Sequence, residues 1–266
     1  MDWLMNTGSI DVTMTLVLLL LAAGLLAGWI DAVVGGGGLI QLPALLMVPG
    51  ITPVQALATN KVGSIAGTTA SALTYLSRVR PDKSATIPAS VTALLGAILG
   101  ARVATLLPTA VFEPVILTAL VAVAVFTVLK PQLGLVAQLR FGEHSKRHHA
   151  ISWLIGLLIG FYDGLLGPGT GSFLVIAFVS IIGFDFLHAS AMAKIVNWAT
   201  NLGALLYFVP NGHVIWALGA AVAAGNVIGG FIGARTAIRL GSGFVRVVFL
   251  IVVTALILKL GFDFLF

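Results

Sequence analysis

The chain has 266 residues, of which 59% are hydrophobic and 9% charged, with a mean hydropathy of +1.11; soluble domains carry about 25% charged residues. That composition excludes a soluble globular domain, and no polar stretch is long enough to fold on its own outside a membrane. Cysteine is absent, which excludes disulfides, thiolate metal sites and cysteine catalysis, and the net charge of +5 sits largely in short loops, where it sets topology and does not signal nucleic acid.

Taken in order, residues 1–13 contain Asp2 and Asp11 and no Lys or Arg. A first apolar segment is expected at 14–34, and no basic residue precedes it as one would precede a cleaved leader. It ends in Gly28-Trp-Ile-Asp31-Ala-Val-Val-Gly35-Gly36-Gly37-Gly38. A carboxylate is costly in hydrocarbon, and four glycines in a row unwind a helix. The apolar run 39–48 that follows is too short to cross a 30 Å core. A broken helix bearing a charge is tolerated only where protein or a water-filled cavity surrounds it.

The next segments are expected at 54–77, 85–107 and 114–129, joined by a basic loop at 78–83 and an uncharged-to-acidic one at 108–113. A basic linker follows, and then the plan recurs: segments at 150–166, 172–182 and 188–209, a cation-free loop at 210–213, a segment at 214–234, a basic stretch at 235–246 and a last segment to residue 260. The recurrence is explicit. Gly28, Asp31 and Gly35 match Gly160, Asp163 and Gly167, each 132 positions later, and Lys61 and Gly96-x-x-x-Gly100-Ala-Arg102 match Lys194 and Gly229-x-x-x-Gly233-Ala-Arg235, each 133 later.

Placing the basic loops in the cytoplasm puts the start of each copy on the opposite side from its end, and the two copies on opposite orientations. The expected fold is therefore an all-α polytopic membrane protein of two inverted repeats, with about eight long transmembrane helices and two short broken or re-entrant ones. The expected organisation is a first repeat at 1–130, a cytoplasmic basic linker at 131–149 and a second repeat at 150–266, with both termini outside.

The residues that could carry chemistry lie on the repeated landmarks. From Lys61 the polar positions Ser64, Thr68, Ser71 and Tyr75 step by three and four, one helical face; Lys194, Asn197 and Asn201 form the matching face. Such a stripe either lines a pathway or serves helix–helix hydrogen bonding. A buried lysine needs an anionic partner. One reading pairs Asp31 with Lys61 and Asp163 with Lys194 as fixed ion pairs. The other has the lysines and the glycine-rich starts of the short helices, with their free amides and positive dipole ends, bind an anion together, the aspartates orienting the lysines or carrying a proton. Arg102 and Arg235 are either snorkelling residues or an entry or gate. Gly96/Gly100 and Gly229/Gly233 read as packing contacts, Asn226 as interior-lining or packing, and His144, His148 and His149 as residues of a solvated loop, with a metal site as the alternative.

At these residues the chain resembles the TauE/SafE sulfite-exporter family, the TSUP permeases. The resemblance rests on G-W-I-D-A-V-V-G-G-G-G, A-L-A-T-N-K, G-F-Y-D-G-L-L-G-P-G-T-G-S-F and A-M-A-K-I-V-N-W-A-T-N-L-G, and extends through both halves. It implies a bacterial inner-membrane transporter of sulfur-containing anions such as sulfite, thiosulfate or organosulfonates. It also implies a central set of Asp31, Gly35 to Gly38, Asn60, Lys61, Asp163, Gly167, Gly169, Lys194, Asn197 and Asn201. The cysteines that some relatives use for thiosulfate have no counterpart here. The expected function is a secondary transporter, not an enzyme, working by alternating access without cofactor or metal. Its expected partners are a small anion and membrane lipid, with no nucleic acid and with room for a homodimer. The alternatives are a gated anion channel and an integral-membrane enzyme.

Overall fold

The computed structural model describes residues 13–108, 139–141 and 145–265. They form helices α1 (Met14–Val34), α2 (Gly38–Leu46), α3 (Pro53–Leu76), α4 (Lys83–Ala104), α5 (Lys146–Leu165), α6 (Thr170–Ala177, continued by a wider turn over Phe178–Ile182), α7 (Phe186–Phe208) and α8 (Trp216–Leu265), and no strand is present among the described residues. The expected segment 114–129 lies outside them.

The starts and stops follow from local chemistry. Thr13 caps α1 through Leu16 N–H at 3.2 Å. Thr52 and Gln55 form a reciprocal capping box on α3, with Pro53 in the first turn, where its missing N–H costs nothing. Asp82 caps α4, Ser145 caps α5 and Asp185 caps α7. Burial pushes the Asp185 carboxyl up, but the Ser242 hydroxyl at 2.7 Å, the His188 backbone N–H and the His188 ring more than offset this and hold it below the ordinary carboxylate range. α1 ends at Gly35, whose φ of 82° is the left-handed conformation that suits glycine.

α1, α4 and α8 up to Val248 are long and apolar enough to cross a membrane. Large apolar side chains point outward from several helices: Leu19, Leu95, Leu158 and Ile232 are all exposed, the reverse of a water-soluble surface. The most extensive helix pairs are α1 with α8 and α4 with α5. Both pairs are close because glycines face backbone. A Cβ at Gly160 would lie 2.3 Å from Ala93 O and one at Gly100 2.1 Å from Phe161 O; one at Gly229 would lie 2.0 Å from Leu25 O. The small-residue spacings are thus packing seams, as read. Asn226 belongs to one of them, its side chain and backbone filling the space over Gly28 and Gly67.

Two expectations are corrected here. The segment expected to stop at residue 234 continues as helix through Arg235 and Arg239 to a break at Gly241 (φ 75°), since nothing before that glycine interrupts it. The linker was expected to run to His149. Instead the Ser145 cap starts α5 four residues before Ala150 and turns His148 inward. His148 is fully buried, with Nε2 3.5 Å from Asp82 Oδ2 and its ring edge-on to Phe184; it is no solvated loop residue. His149 is half-buried against Ser145 O, and His144 lies outside the described residues.

Candidate functional site

The two glycine-rich breaks meet. Gly35, between α1 and α2, lies against Gly171 at the start of α6; a Cβ on Gly35 would fall 2.1 Å from the Gly171 carbonyl carbon and one on Gly171 would fall 2.5 Å from the Gly35 Cα. No residue larger than glycine fits either position without moving a backbone. Ser172 fastens the contact, its N–H donating to Gly35 O at 3.0 Å and its hydroxyl to Val34 O at 2.8 Å. Two tyrosines brace the approaches. Tyr75 donates to Ala32 O at 2.9 Å and Tyr162 to Pro168 O at 2.5 Å.

Both lysines are buried and both are paired, but the pairs are exchanged relative to the one sequence reading that joined them within a repeat. Lys61 Nζ lies 2.7 Å from Asp163 Oδ2 and donates to Asp163 O, also at 2.7 Å. Lys194 Nζ lies 2.8 Å from Asp31 Oδ2 and also donates to Asp31 O. Each aspartate sits in the last turn of its helix and each lysine in the first half of a long helix from the other half of the chain. Packing across the halves, which spacing along the chain does not report, brings each lysine to the other copy's carboxylate. A buried pair is retained at this cost only with such supplementary hydrogen bonds.

Between the breaks lies a crevice with about 10 Å³ of space for the centre of a water molecule, close to what one water needs. Of the residues expected in the central set, Asp31, Gly35, Gly38, Asn60 and Lys61 line it from one half. Asp163, Gly167, Gly169, Asn197 and Asn201 line it from the other. Lys194 is fully buried behind Asp31, and Gly36 and Gly37 are buried beside the crevice wall, Gly37 N–H directed at Asp31 Oδ1 at 3.4 Å. The amides of Gly38 and Gly169 make no hydrogen bond among the described residues. Asn60 Oδ1 is likewise buried without a partner there.

The polar stripe divides. Lys61 and Ser64 line the crevice, whereas Thr68 and Ser71 bond back to carbonyls of their own helix and Tyr75 serves the brace. Arg102, in the last turn of α4, and Arg235, its guanidinium 4.1 Å above the Phe231 ring, are both exposed and do not line the crevice. Two lining residues were not singled out as site candidates, Thr170 and Gly171, and Ser64 was named only as part of the polar stripe. Thr170 donates to Asp163 Oδ1 at 2.6 Å, and its only signal in the sequence is a hydroxyl amid glycines. Gln41 was missed altogether. It is buried on α2 and accepts from Ser64 at 3.2 Å, with Nε2 unpartnered; an amide inside a short apolar run was the available clue. No group of three or more His, Asp or Glu is placed to hold a metal ion among the described residues.

The family described as sulfite exporter TauE/SafE matches residues 20–260. The chain belongs to the TauE/SafE family. This TauE/SafE chain is 37% identical over 254 residues to a probable membrane transporter protein of Sinorhizobium, covering 95% of each. It is 31% identical to a probable membrane transporter protein of Haemophilus influenzae, covering 95% of this chain and 97% of that one. It is 32% identical to the probable membrane transporter protein YfcA of Escherichia coli, covering 90% and 87%. No solved structure matches it. As a member of the TauE/SafE family it is a membrane protein of a transporter family, and the outward-facing leucines of α1, α4 and α5 have lipid as their solvent.

Proposed function

We propose that the protein is a secondary transporter of a small sulfur-containing anion, sulfite or an organosulfonate, across the bacterial inner membrane. One observation carries the reading. Two interrupted helices from the two sequence copies touch at their glycines and enclose a polar crevice holding a lysine, two carboxylates, unpaired amides and three asparagines. Discontinuous helices meeting at a repeat interface are how many carriers build a substrate site. Free N–H groups at helix starts favour an oxyanion, and amides such as Asn60 orient it without adding charge. The exchange of lysine partners between halves is what a pseudo-two-fold axis in the membrane plane would produce. We therefore read the copies as inverted repeats that rock about this site, with both termini outside and the short helices α2 and α6 ending within the bilayer.

The test is anion counterflow in proteoliposomes. Lys61→Ala and Lys194→Ala are expected to lower sulfite or sulfonate flux at least tenfold. Because each leaves a buried carboxylate alone, Lys61→Met/Asp163→Asn and Lys194→Met/Asp31→Asn are measured beside them, with folding checked by size-exclusion chromatography. Normal flux in a folded Lys61→Ala/Lys194→Ala protein removes the site. Uptake that trans substrate does not accelerate points to a pore instead of a carrier.

A further inference from the structure

The crevice wall carries one ammonium, Lys61, and two carboxylates, Asp31 and Asp163; with Lys194 buried behind Asp31 the two ion pairs sum to zero, so as it stands the site has no net charge with which to hold an anion. Burying an anion with no compensating charge is strongly unfavourable. One carboxylate must therefore be neutralised when the anion enters, and the two are not equivalent. Asp163 has a partner at both oxygens: Oδ2 lies 2.7 Å from the Lys61 ammonium, an ion pair without hydrogen-bond alignment, and Oδ1 accepts from the Thr170 hydroxyl at 2.6 Å, with the side chain only 2% exposed. Asp31 has Lys194 on Oδ2 at 2.8 Å, but its Oδ1 receives only the Gly37 N–H at 3.4 Å, and the side chain is 14% exposed toward the crevice. The cause is in the sequence. The residue that matches Thr170 at the repeat spacing of 132 is Gly38, which has no hydroxyl to give.

We infer that Asp31, and not Asp163, accepts a proton as the anion binds, so that one proton travels with each singly charged anion and the loaded site moves no net charge; this rests on the anion-transport reading above. The proton reaches Oδ1 of Asp31 from hydronium in the water that admits the anion: an O–H bond forms on the carboxyl, one breaks in the hydronium, and water is left behind. Lys194 keeps its charge and its bond to the Asp31 carbonyl, and the site gains the single positive charge the anion needs.

The groups facing Asp31 agree with this. α7 contributes Lys194. α3 contributes Lys61 and the Tyr75 phenol, which is occupied with Ala32 O. α5 contributes Asp163, already paired. α8 faces α1 through Gly225, Gly229 and Gly233, and α2 and α6 bring backbone amides and hydroxyls without a titratable group.

The probes are methanesulfonate, whose charge is constant over the usable pH range, and sulfite. Proteoliposomes of the full chain are given an inward proton gradient of one pH unit, first with the membrane potential clamped at zero and then with an imposed potassium-diffusion potential. One proton per monoanion predicts about tenfold accumulation of methanesulfonate per pH unit, unchanged by the imposed potential. Asp31→Asn, normalised to its own counterflow, is expected to accumulate nothing, because its site keeps the Lys194 charge without a proton. Gly38→Thr supplies the missing hydroxyl, which favours the charged carboxylate and is expected to move the pH profile of uptake to more acid values; this variant decides the matter if Asp31→Asn does not fold. Counterflow without gradient-driven accumulation, a pH drive that persists in Asp31→Asn, or a profile unmoved in Gly38→Thr overturns the inference and leaves anion transport standing. Absence of counterflow for both probes in the wild type overturns both.

Discussion

Lys61 and Lys194 show how little a buried cation can be left to chance. Each is at most 1% exposed and each meets a carboxylate and a backbone carbonyl of the opposite half. Removing one partner of such a pair leaves the other charged and dry, which costs about 3–5 kcal/mol. Lys61→Ala is therefore expected to lower apparent thermal stability in detergent sharply. Adding Asp163→Ala should recover part of that loss, because the stranded charge goes with it. Adding Asp31→Ala should recover none. The reverse order of rescue, read by thermal unfolding of the purified double variants, would restore the within-repeat pairing and with it a different site.

Among the elements, the breaks matter more than the helices they interrupt. Gly35 and Gly212 both have positive φ, 82° and 70°. An L-residue there loses about 1–2 kcal/mol from the backbone alone. At Gly212 a Cβ meets nothing within 4 Å, while at Gly35 it would strike the backbone of Gly171 and Ser172 at 2.1 and 2.3 Å. Gly212→Ala is expected to give a slightly less stable, transporting protein, and Gly35→Ala one that loses flux because α2 and α6 are pushed apart. Equal stability and flux for the two variants would mean that contact between the breaks is dispensable. The same argument explains why α2 can be only nine residues long, Gly38–Leu46: its start is held by the other break and by Asp31 and needs no side-chain cap.

For the molecule as a whole, a crevice with room for about one water is too small for an oxyanion, so the proposed transport requires the halves to move apart to admit one. The absence of cysteine makes this directly readable. Ser64→Cys places a single thiol in the crevice wall, and a membrane-impermeant thiol reagent should label it slowly. Saturating sulfite or methanesulfonate should change the labelling rate severalfold as the population of open states shifts. A rate indifferent to every anion tested would argue against movement at this site.

The chain by itself determined the helical membrane class, because mean hydropathy and segment length are properties of consecutive residues. It also marked where helices must break, since runs of glycine cannot continue one, and which polar groups were too costly to face lipid. Asp31, Lys61, Asp163 and Lys194 were legible for that reason. Which carboxylate each lysine meets was not. That depends on α1 packing on α8 and α4 on α5 across the halves, contacts between residues far apart in the chain that periodicity does not encode. The burial of His148, the contact of Gly35 with Gly171 and the recruitment of Gln41, Ser64 and Thr170 were decided at the same level. Each is set by what an opposing helix presents, and only the tertiary structure brings that helix near.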